Sequence, residues 1–206
     1  MKAKGILNLI GNTPLVESTN LVKNKNVKLL LKLEGNNPGG SVKDRPAYNM
    51  IKSALERKEI SKHSKLIEAT SGNTGIALAL ISGIYHLDME LVMPENSTKE
   101  RVQTMRAYGA KVTLTPAEDG IEGSRDYAEN KVLKECFIML NQFANNDNWK
   151  AHYKTTGPEI WRDTDQKVTH FVSAMGTTGT IMGVSSYLKE QRSSIQIIGA
   201  QPTDQS

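Results

Sequence analysis

The segment N36-N-P-G-G-S-V-K-D-R45 places one lysine, Lys43, just after a Pro-Gly-Gly turn and at the start of a helix. That helix is predicted by apolar residues at 3.6-residue spacing, namely Ala47, Met50, Ile51, Ala54 and Leu55. The dipole of a helix opposes a positive charge near its N-terminus, which favours the neutral amine, the form that attacks an aldehyde. An exposed surface lysine is the ordinary alternative, and Lys43 alone does not exclude it.

Two further small-residue turns, T70-S-G-N-T-G75 and G176-T-T-G-T180, each follow an apolar strand and precede a helix. The first carries several hydroxyl and amide donors between two glycines, which suits a carboxylate, whereas an ordinary helix cap needs only one such residue. The second suits a phosphate dianion, because its glycines let the backbone approach a ligand closely and its threonines add hydroxyl donors. Taken alone, this pattern is a weak signal. Together with Lys43, which can form a Schiff base, the two turns indicate a pyridoxal-phosphate (PLP) site.

Apolar strands alternate with helical segments along the chain, which predicts α/β architecture with parallel-rich sheets and helices on both faces. The predicted strands are 27–33, 65–69, 90–93, 112–115, 136–140, 168–174 and 195–200; the predicted helices after the first are 76–81, 98–108, 121–135, 149–162 with a break at Gly157-Pro158, and 180–191. Ser41 and Asp44 resemble a capping box, but Pro46 is tolerated better if the first helix starts nearer Asp44. Ligands of such sheets bind beyond the carboxyl ends of the strands, where both turns lie.

The composition of the 206-residue chain is that of an ordinary soluble protein with a net charge of +4. Acidic and basic residues are interleaved, which favours a solvated surface over a nucleic-acid interface. The sequence shows no membrane span, no secretory signal and no metal-ligand spacing of its histidines. Cys136 is the one cysteine, so a disulfide within the chain is excluded and a cytoplasmic location is favoured. Its apolar neighbours predict that it is a buried strand residue.

Several long motifs resemble the fold type II PLP enzymes and, within them, the cysteine synthases of the B type (O-acetylserine sulfhydrylases). The motifs are G11-N-T-P-L15, K32-L-E-G-N-N-P-G-G-S-V-K-D-R45, I67-E-A-T-S-G-N-T-G-I-A-L78, M105-R-A-Y-G-A110, H152-Y-K-T-T-G-P-E-I-W161 and H170-F-V-S-A-M-G-T-T-G-T-I181. The resemblance runs along nearly the whole chain, and motifs of this length rarely arise by chance.

The resemblance implies roles for Lys43, for Gln142 and for most residues of the two turns. Lys43 would hold PLP covalently, and Asn73 would donate to the ring hydroxyl of the cofactor. The substrate carboxylate would be bound by Thr70, Ser71, Gly72, Thr74 and Gln142, and the cofactor phosphate by Gly176, Thr177, Thr178, Gly179 and Thr180. The implied reaction is a β-replacement, in which sulfide displaces acetate from O-acetyl-L-serine to give L-cysteine, or thiosulfate gives S-sulfocysteine.

The resemblance also implies two interleaved domains, with PLP in the cleft between them, in a homodimer. The smaller would span 35–145, and the larger would combine 12–34 with 146–206. Family members continue beyond Ser206, so the larger domain is expected to be incomplete, without the residue that faces the pyridine nitrogen. The B-type residues thought to receive thiosulfate follow a segment like Gln201-Pro202. Pro46 departs from the family pattern, in which a helix former usually follows the lysine motif.

Three alternatives stay open on the sequence alone. A cystathionine β-synthase-like PLP enzyme would share these turns, and an inactive, truncated PLP-binding fragment would share them too. A dinucleotide-binding enzyme is disfavoured, since no G-x-G-x-x-G motif follows a strand. The sequence does not distinguish sulfide from thiosulfate as sulfur donor, or acetylserine from phosphoserine as substrate.

Overall fold

A computed structural model describes residues 5–201 of the chain; Pro202 and the residues after it lie outside the described part. The strands are β1 (Leu15–Glu17), β2 (Leu30–Lys32), β3 (Lys65–Ala69), β4 (Asp88–Pro94), β5 (Lys111–Thr115), β6 (Phe137–Met139), β7 (His170–Ala174) and β8 (Gln196–Ala200). The helices are α1 (Asp44–Glu56), α2 (Asn73–Tyr85), α3 (Lys99–Ala107), α4 (Gly120–Glu135), α5 (Asn146–Lys154), α6 (Thr156–Asp163) and α7 (Gly179–Gln191).

The chain forms two compact units. One comprises Ala47–Asp147, and the other combines the described residues up to Pro46 with those from Asn148 onward. The division into domains at 35 and 145 that the sequence favours stays a prediction. No helix within residues 5–201 combines the length and the apolar composition that crossing a bilayer requires.

The unit Ala47–Asp147 is built on a parallel sheet with the strand order β5-β4-β3-β6. Because side chains alternate along a strand, Ile67, Ala69 and Val92 share one face, where they pack with Ala128 of α4. Leu91, next to Val92 in β4, is also fully buried, and α2 contacts this strand. The sheet is therefore apolar on both faces, as the predicted parallel architecture requires.

The other unit contains an antiparallel pair, β1-β2, and a parallel pair, β7-β8. Its core is formed by Ile160 of α6, Val184 and Leu188 of α7, and Ile195 just before β8. Within the described residues β8 pairs with β7 alone, so the other edge of β8 has no strand partner among them.

The predicted strand at 136–140 is wrong at its first residue, Cys136. Cys136 is exposed and ends α4 in the left-handed conformation, with φ of 56°, and β6 begins one residue later. The apolar run concealed this, because the residue that ends a helix must redirect the chain whatever its polarity. The thiol of Cys136 is therefore free and accessible.

The predicted break at Gly157-Pro158 is also displaced. The chain leaves helical geometry at Thr155, with φ of −128°, and both Gly157 and Pro158 lie in the first turn of α6. Proline is tolerated there because the first N–H groups of a helix have no partner within it. A side chain at Gly157 would meet Tyr187 Cβ at 2.8 Å, so this glycine serves the close packing of α6 on α7. The expected start of the first helix near Asp44 is confirmed.

Candidate active site

Lys43 lies in the turn that leads into α1. Its main-chain N–H donates to Ser41 Oγ at 3.1 Å. The side chain is partly buried, and within residues 5–201 no carboxylate forms an ion pair with its ammonium group. Burial lowers the pKa of Lys43 from its usual value, which favours the neutral, nucleophilic amine. The environment of Lys43 is therefore unlike that of an ordinary surface lysine.

The turn before Lys43 depends on two consecutive glycines. Gly40 adopts φ of 83°, which side chains disfavour. The N–H of Gly39 donates to the carboxylate of Asp44, and a Cβ at Gly39 would lie 2.4 Å from Asp44 Oδ1. The Pro-Gly-Gly segment thus lets the chain fold back onto Asp44, the first residue of α1. This contact fixes the backbone on both sides of Lys43.

A buried ion cluster anchors the residue that follows. Arg45 donates to Glu34 at 2.7 and 2.8 Å and to Glu159 at 2.7 Å through two nitrogens, and its side chain is 1% exposed. Lys32 Nζ lies 2.7 Å from Glu159 Oε2. Burial raises the pKa of Glu159, but the hydrogen bonds from Arg45 and Lys32 outweigh burial and hold the pKa at about 2. The cluster ties β2, α1 and α6 together two residues from Lys43.

The turn G176-T-T-G-T180 connects β7 to α7. Within the described residues, the main-chain N–H groups of Gly176, Thr177 and Thr178 donate to no other group, and a Cβ at Gly176 would meet nothing within 4 Å. Thr178 is left-handed, with φ of 62°, directly before the first residue of α7. Free N–H groups at the start of a 13-residue helix, beside an open glycine, suit a phosphate.

Helix α5 supports this turn with two side chains one helical turn apart. Asn148 Nδ2 donates to Thr177 Oγ1 at 3.1 Å, and His152 Nε2 lies 3.3 Å from Thr180 Oγ1. Burial lowers the pKa of His152 to about 3, so the ring is neutral and bonds through both nitrogens, the other to Thr156 Oγ1 at 2.9 Å. A Cβ at Gly179 would lie 2.1 Å from Asn148 Oδ1, so glycine is needed for this close approach.

The turn T70-S-G-N-T-G75 connects β3 to α2. Asn73 is exposed and Ser71 partly buried, and within residues 5–201 neither side chain makes a hydrogen bond. Thr74 is buried, and its Oγ1 donates to Gln142 Oε1 at 2.7 Å. The helix begins after Gly72 without any side-chain cap, which leaves the donors of Ser71 and Asn73 for a ligand.

The structure thus brings together Thr74 and Gln142, which are 68 positions apart in the sequence. It places Thr70, Ser71, Gly72, Asn73, Thr74 and Gln142 in the unit Ala47–Asp147, and Lys43, Gly176, Thr177, Thr178, Gly179 and Thr180 in the other unit. The supporting residues Asn148 and His152 were not predicted, nor was the buried Glu68, whose Oε1 accepts from the main-chain N–H of Gln142 at 3.4 Å. A carboxylate inside the apolar strand Lys65–Ala69 was the available signal for Glu68; nothing in the sequence distinguished Asn148.

These residues fit PLP, because the aldehyde of PLP reacts with an amine and its phosphate accepts hydrogen bonds from free N–H groups. A partly buried lysine without an ion-pair partner among the described residues, and an unpaired N–H turn beside an open glycine, match those two groups. On this α/β frame they define a PLP-dependent enzyme of fold type II. The chain belongs to the pyridoxal-phosphate-dependent enzyme family, whose model matches residues 6–206. The predicted fold class and cofactor are thereby confirmed.

Within this family, the chain is most informatively compared with individual cysteine synthases. The chain is 55% identical over 199 residues to cysteine synthase B of Pseudomonas aeruginosa, covering 97% of this chain and 67% of that protein. Cysteine synthase B of Salmonella typhimurium is 53% identical over 195 residues, which is 95% of this chain and 64% of that protein. The crystal structure of cysteine synthase from Entamoeba histolytica superposes with a TM-score of 0.94 at 38% identity, covering 98% of this chain and 61% of that one. The chain spans about two thirds of the length of these curated relatives.

Proposed function

We propose that this chain carries the β-replacement chemistry of a cysteine synthase, with O-acetyl-L-serine and sulfide as substrates and L-cysteine as product. The observation that carries the proposal is Lys43, a partly buried amine of lowered pKa at the start of α1. The identity to cysteine synthase B proteins, 55% and 53%, supports this substrate pair over others in the family. Thiosulfate in place of sulfide is the second donor to be tested.

The residues around the cofactor have separate tasks. When bound, PLP supplies an electron sink for the carbanion at the substrate α-carbon. Lys43 Nζ would hold the cofactor through its aldehyde carbon and, as a free amine, would take the α-proton of the substrate. Gly176, Thr177, Thr178, Gly179 and Thr180 would hold the phosphate through N–H and hydroxyl donors. Asn73 would donate to the ring hydroxyl.

The turn T70-S-G-N-T-G75 is suited to bind the substrate carboxylate. We assign its binding to Thr70, Ser71, Gly72 and Thr74, in which the hydroxyls of Thr70 and Ser71 and the main-chain N–H of Thr74 can donate, and Gln142 adds a side-chain amide. Because the O–H of Thr74 donates to Gln142 Oε1, the amide nitrogen of Gln142 is the end that can donate to a carboxylate.

Replacing Ser71 and Asn73 separately should give different defects. Ser71→Ala removes a donor to a charged carboxylate and should weaken O-acetyl-L-serine binding by roughly 1.5–3 kcal/mol while the cofactor spectrum is kept. Asn73→Ala removes the donor to the ring hydroxyl and should shift the cofactor spectrum before substrate is added. Absorption spectra and substrate titrations of both variants measure this, and two indistinguishable variants would contradict the assignment.

The activity itself is tested by product analysis. The PLP-loaded chain is incubated with O-acetyl-L-serine and sulfide, and in parallel with thiosulfate, with O-phosphoserine, or with homocysteine as nucleophile. L-cysteine formed from O-acetyl-L-serine supports the proposal. Preference for homocysteine would favour a cystathionine β-synthase-like enzyme. Bound PLP without any of these products would favour a fragment that binds the cofactor but has no activity.

Two further expectations belong to the same proposal. A cytoplasmic location is supported by the single, exposed, free thiol of Cys136, since reducing compartments keep such thiols unpaired. A homodimer is supported by exposed apolar side chains such as Leu9, Val16 and Leu31, which are 54%, 43% and 40% exposed. Fractionation of cells and analytical ultracentrifugation test these two statements.

A further inference from the structure

Glu68 is a buried acidic residue that the proposed reaction does not use. Glu68 is the fourth residue of β3, is 4% exposed, and precedes Thr70 by two positions. It lines a cavity of about 350 Å³ whose wall also contains Arg125 and Glu129 of α4. Burying a carboxylate is costly unless hydrogen bonds compensate for the lost water. Burial raises the pKa of Glu68 to about 7, which reflects that cost.

The compensating donors are main-chain N–H groups of the turn after β6. Glu68 Oε2 accepts from Asn141 N at 3.0 Å, and Glu68 Oε1 accepts from Gln142 N at 3.4 Å; the N–H of Leu140 contributes as well. Strands β3 and β6 are paired as far as Ile67 and Met139. The pairing of the two strands ends there, and the Glu68 carboxylate binds the N–H groups of the segment after β6 instead.

The turn held in this way has an unusual backbone. Asn141 is left-handed, with φ of 52°, and its main-chain oxygen accepts from Asn145 N at 2.9 Å. Asn145 Nδ2 donates to Leu140 O at 2.8 Å, which closes the other side of the turn. A non-glycine residue at positive φ persists only where its surroundings determine it. Here Glu68 binds the N–H groups of the strained residue and of its successor.

The side chain that leaves this turn is Gln142, which is 7% exposed and accepts from Thr74. We propose that Glu68 is a positioning residue: its carboxylate fixes the 140–142 turn and thereby aims the Gln142 amide, with Thr74, at the substrate carboxylate. The last step rests on the proposed function. Glu68 does not touch substrate in this scheme and acts through the backbone it binds.

Glu68→Gln tests the proposal, because the amide keeps the shape but places an NH2 group among N–H donors. Glu129→Gln is the matched control: it removes a carboxylate from the wall of the same cavity, and Glu129 forms no hydrogen bond with the turn within the described residues. Amide proton spectra and hydrogen exchange of the PLP-loaded chain are recorded at about pH 8, where Glu68 is ionised. In Glu68→Gln, the Asn141 and Gln142 amides should shift upfield and exchange at least about tenfold faster, while Glu129→Gln should match the wild type.

Steady-state kinetics supply the second readout. The KM for O-acetyl-L-serine should rise about tenfold in Glu68→Gln with a much smaller change in kcat, since binding orientation is lost and Lys43 is untouched. Glu68→Asp, which keeps the charge but withdraws it by one methylene, should show the same pattern and serves if Glu68→Gln does not fold. Gln142→Ala is measured in parallel. An unchanged KM in Gln142→Ala would refute the substrate role of Gln142, and the exchange data would still decide the role of Glu68. Unchanged Asn141 and Gln142 amides in a folded Glu68 variant would overturn the proposal.

Discussion

Replacing Lys43 with alanine should lower the turnover of β-replacement by at least about 10³-fold. Lysine is the one residue type that can both hold the cofactor aldehyde and, as a free amine, take the α-proton. Lys43 has the partial burial and lowered pKa that this role needs. The variant should still bind PLP weakly, because the donors of the turn G176-T-T-G-T180 are intact. Sulfide-dependent formation of L-cysteine by wild type and variant is the measurement.

Lys52 provides the control for this variant. It lies on α1, the helix that directly follows Lys43. Its side chain is 47% exposed, and its ammonium is 3.8 Å from Glu56, as expected for a surface ion pair. Lys52→Ala should therefore keep the turnover of the wild type. Turnover by Lys43→Ala within tenfold of the wild type would mean that another amine performs the chemistry.

Removing the charge of Glu159 should produce the largest loss of stability among single substitutions near the site. Glu159→Gln leaves Arg45, which is 1% exposed, with one carboxylate partner instead of two, and leaves Lys32 without its own. Removing one partner from a buried ion pair costs about 3–5 kcal/mol, because the remaining charge is desolvated and uncompensated. Urea unfolding followed by circular dichroism measures the change.

The same carboxylate predicts a pH dependence of stability. The pKa of Glu159 is about 2 in the folded chain, below its ordinary value of 4.5. The folded state therefore favours the ionised form. The stability that this group contributes is present above about pH 4.5 and is lost as the pH falls towards 2. The difference between wild type and Glu159→Gln should shrink across that range.

Asp163→Asn on the same helix is the control, because it alters an exposed pair with Arg162. It should unfold at nearly the urea concentration of the wild type. If Glu159→Gln unfolded together with Asp163→Asn, the cluster around Arg45 would not be the anchor of the Lys43 turn.

Sequence patterns predicted the regular elements well where local rules decide them. Strand Lys65–Ala69 and the buried helix that contains Ile76–Ile81 follow from apolar runs, and the end of α3 follows from Gly109, with φ of 93°. The patterns failed where packing between distant segments decides. Gly157 reads as a helix breaker, but its role is to admit Tyr187 of α7, which lies 30 positions further along the chain.

The site shows the same division. Lys43 and the two turns are contiguous motifs, so the sequence was enough to propose them as site residues. The supports come from elsewhere in the chain: Glu159 reaches Arg45 across 114 positions, and Glu68 reaches Gln142 across 74. The apolar strand around Glu68 indicates that this carboxylate is buried, but the sequence does not identify its partners, because they are main-chain groups without a sequence signature.

Borohydride reduction followed by peptide mapping tests the central claim most directly. Reduction fixes pyridoxal to whichever amine holds it, and mass spectrometry of the digest then locates the added group among all the lysines. The account predicts stoichiometric labelling of the peptide that contains Lys43, and no label in Lys43→Ala. Label on a different lysine of the PLP-loaded wild type would contradict the assignment of the site, and absence of label would contradict the proposed chemistry.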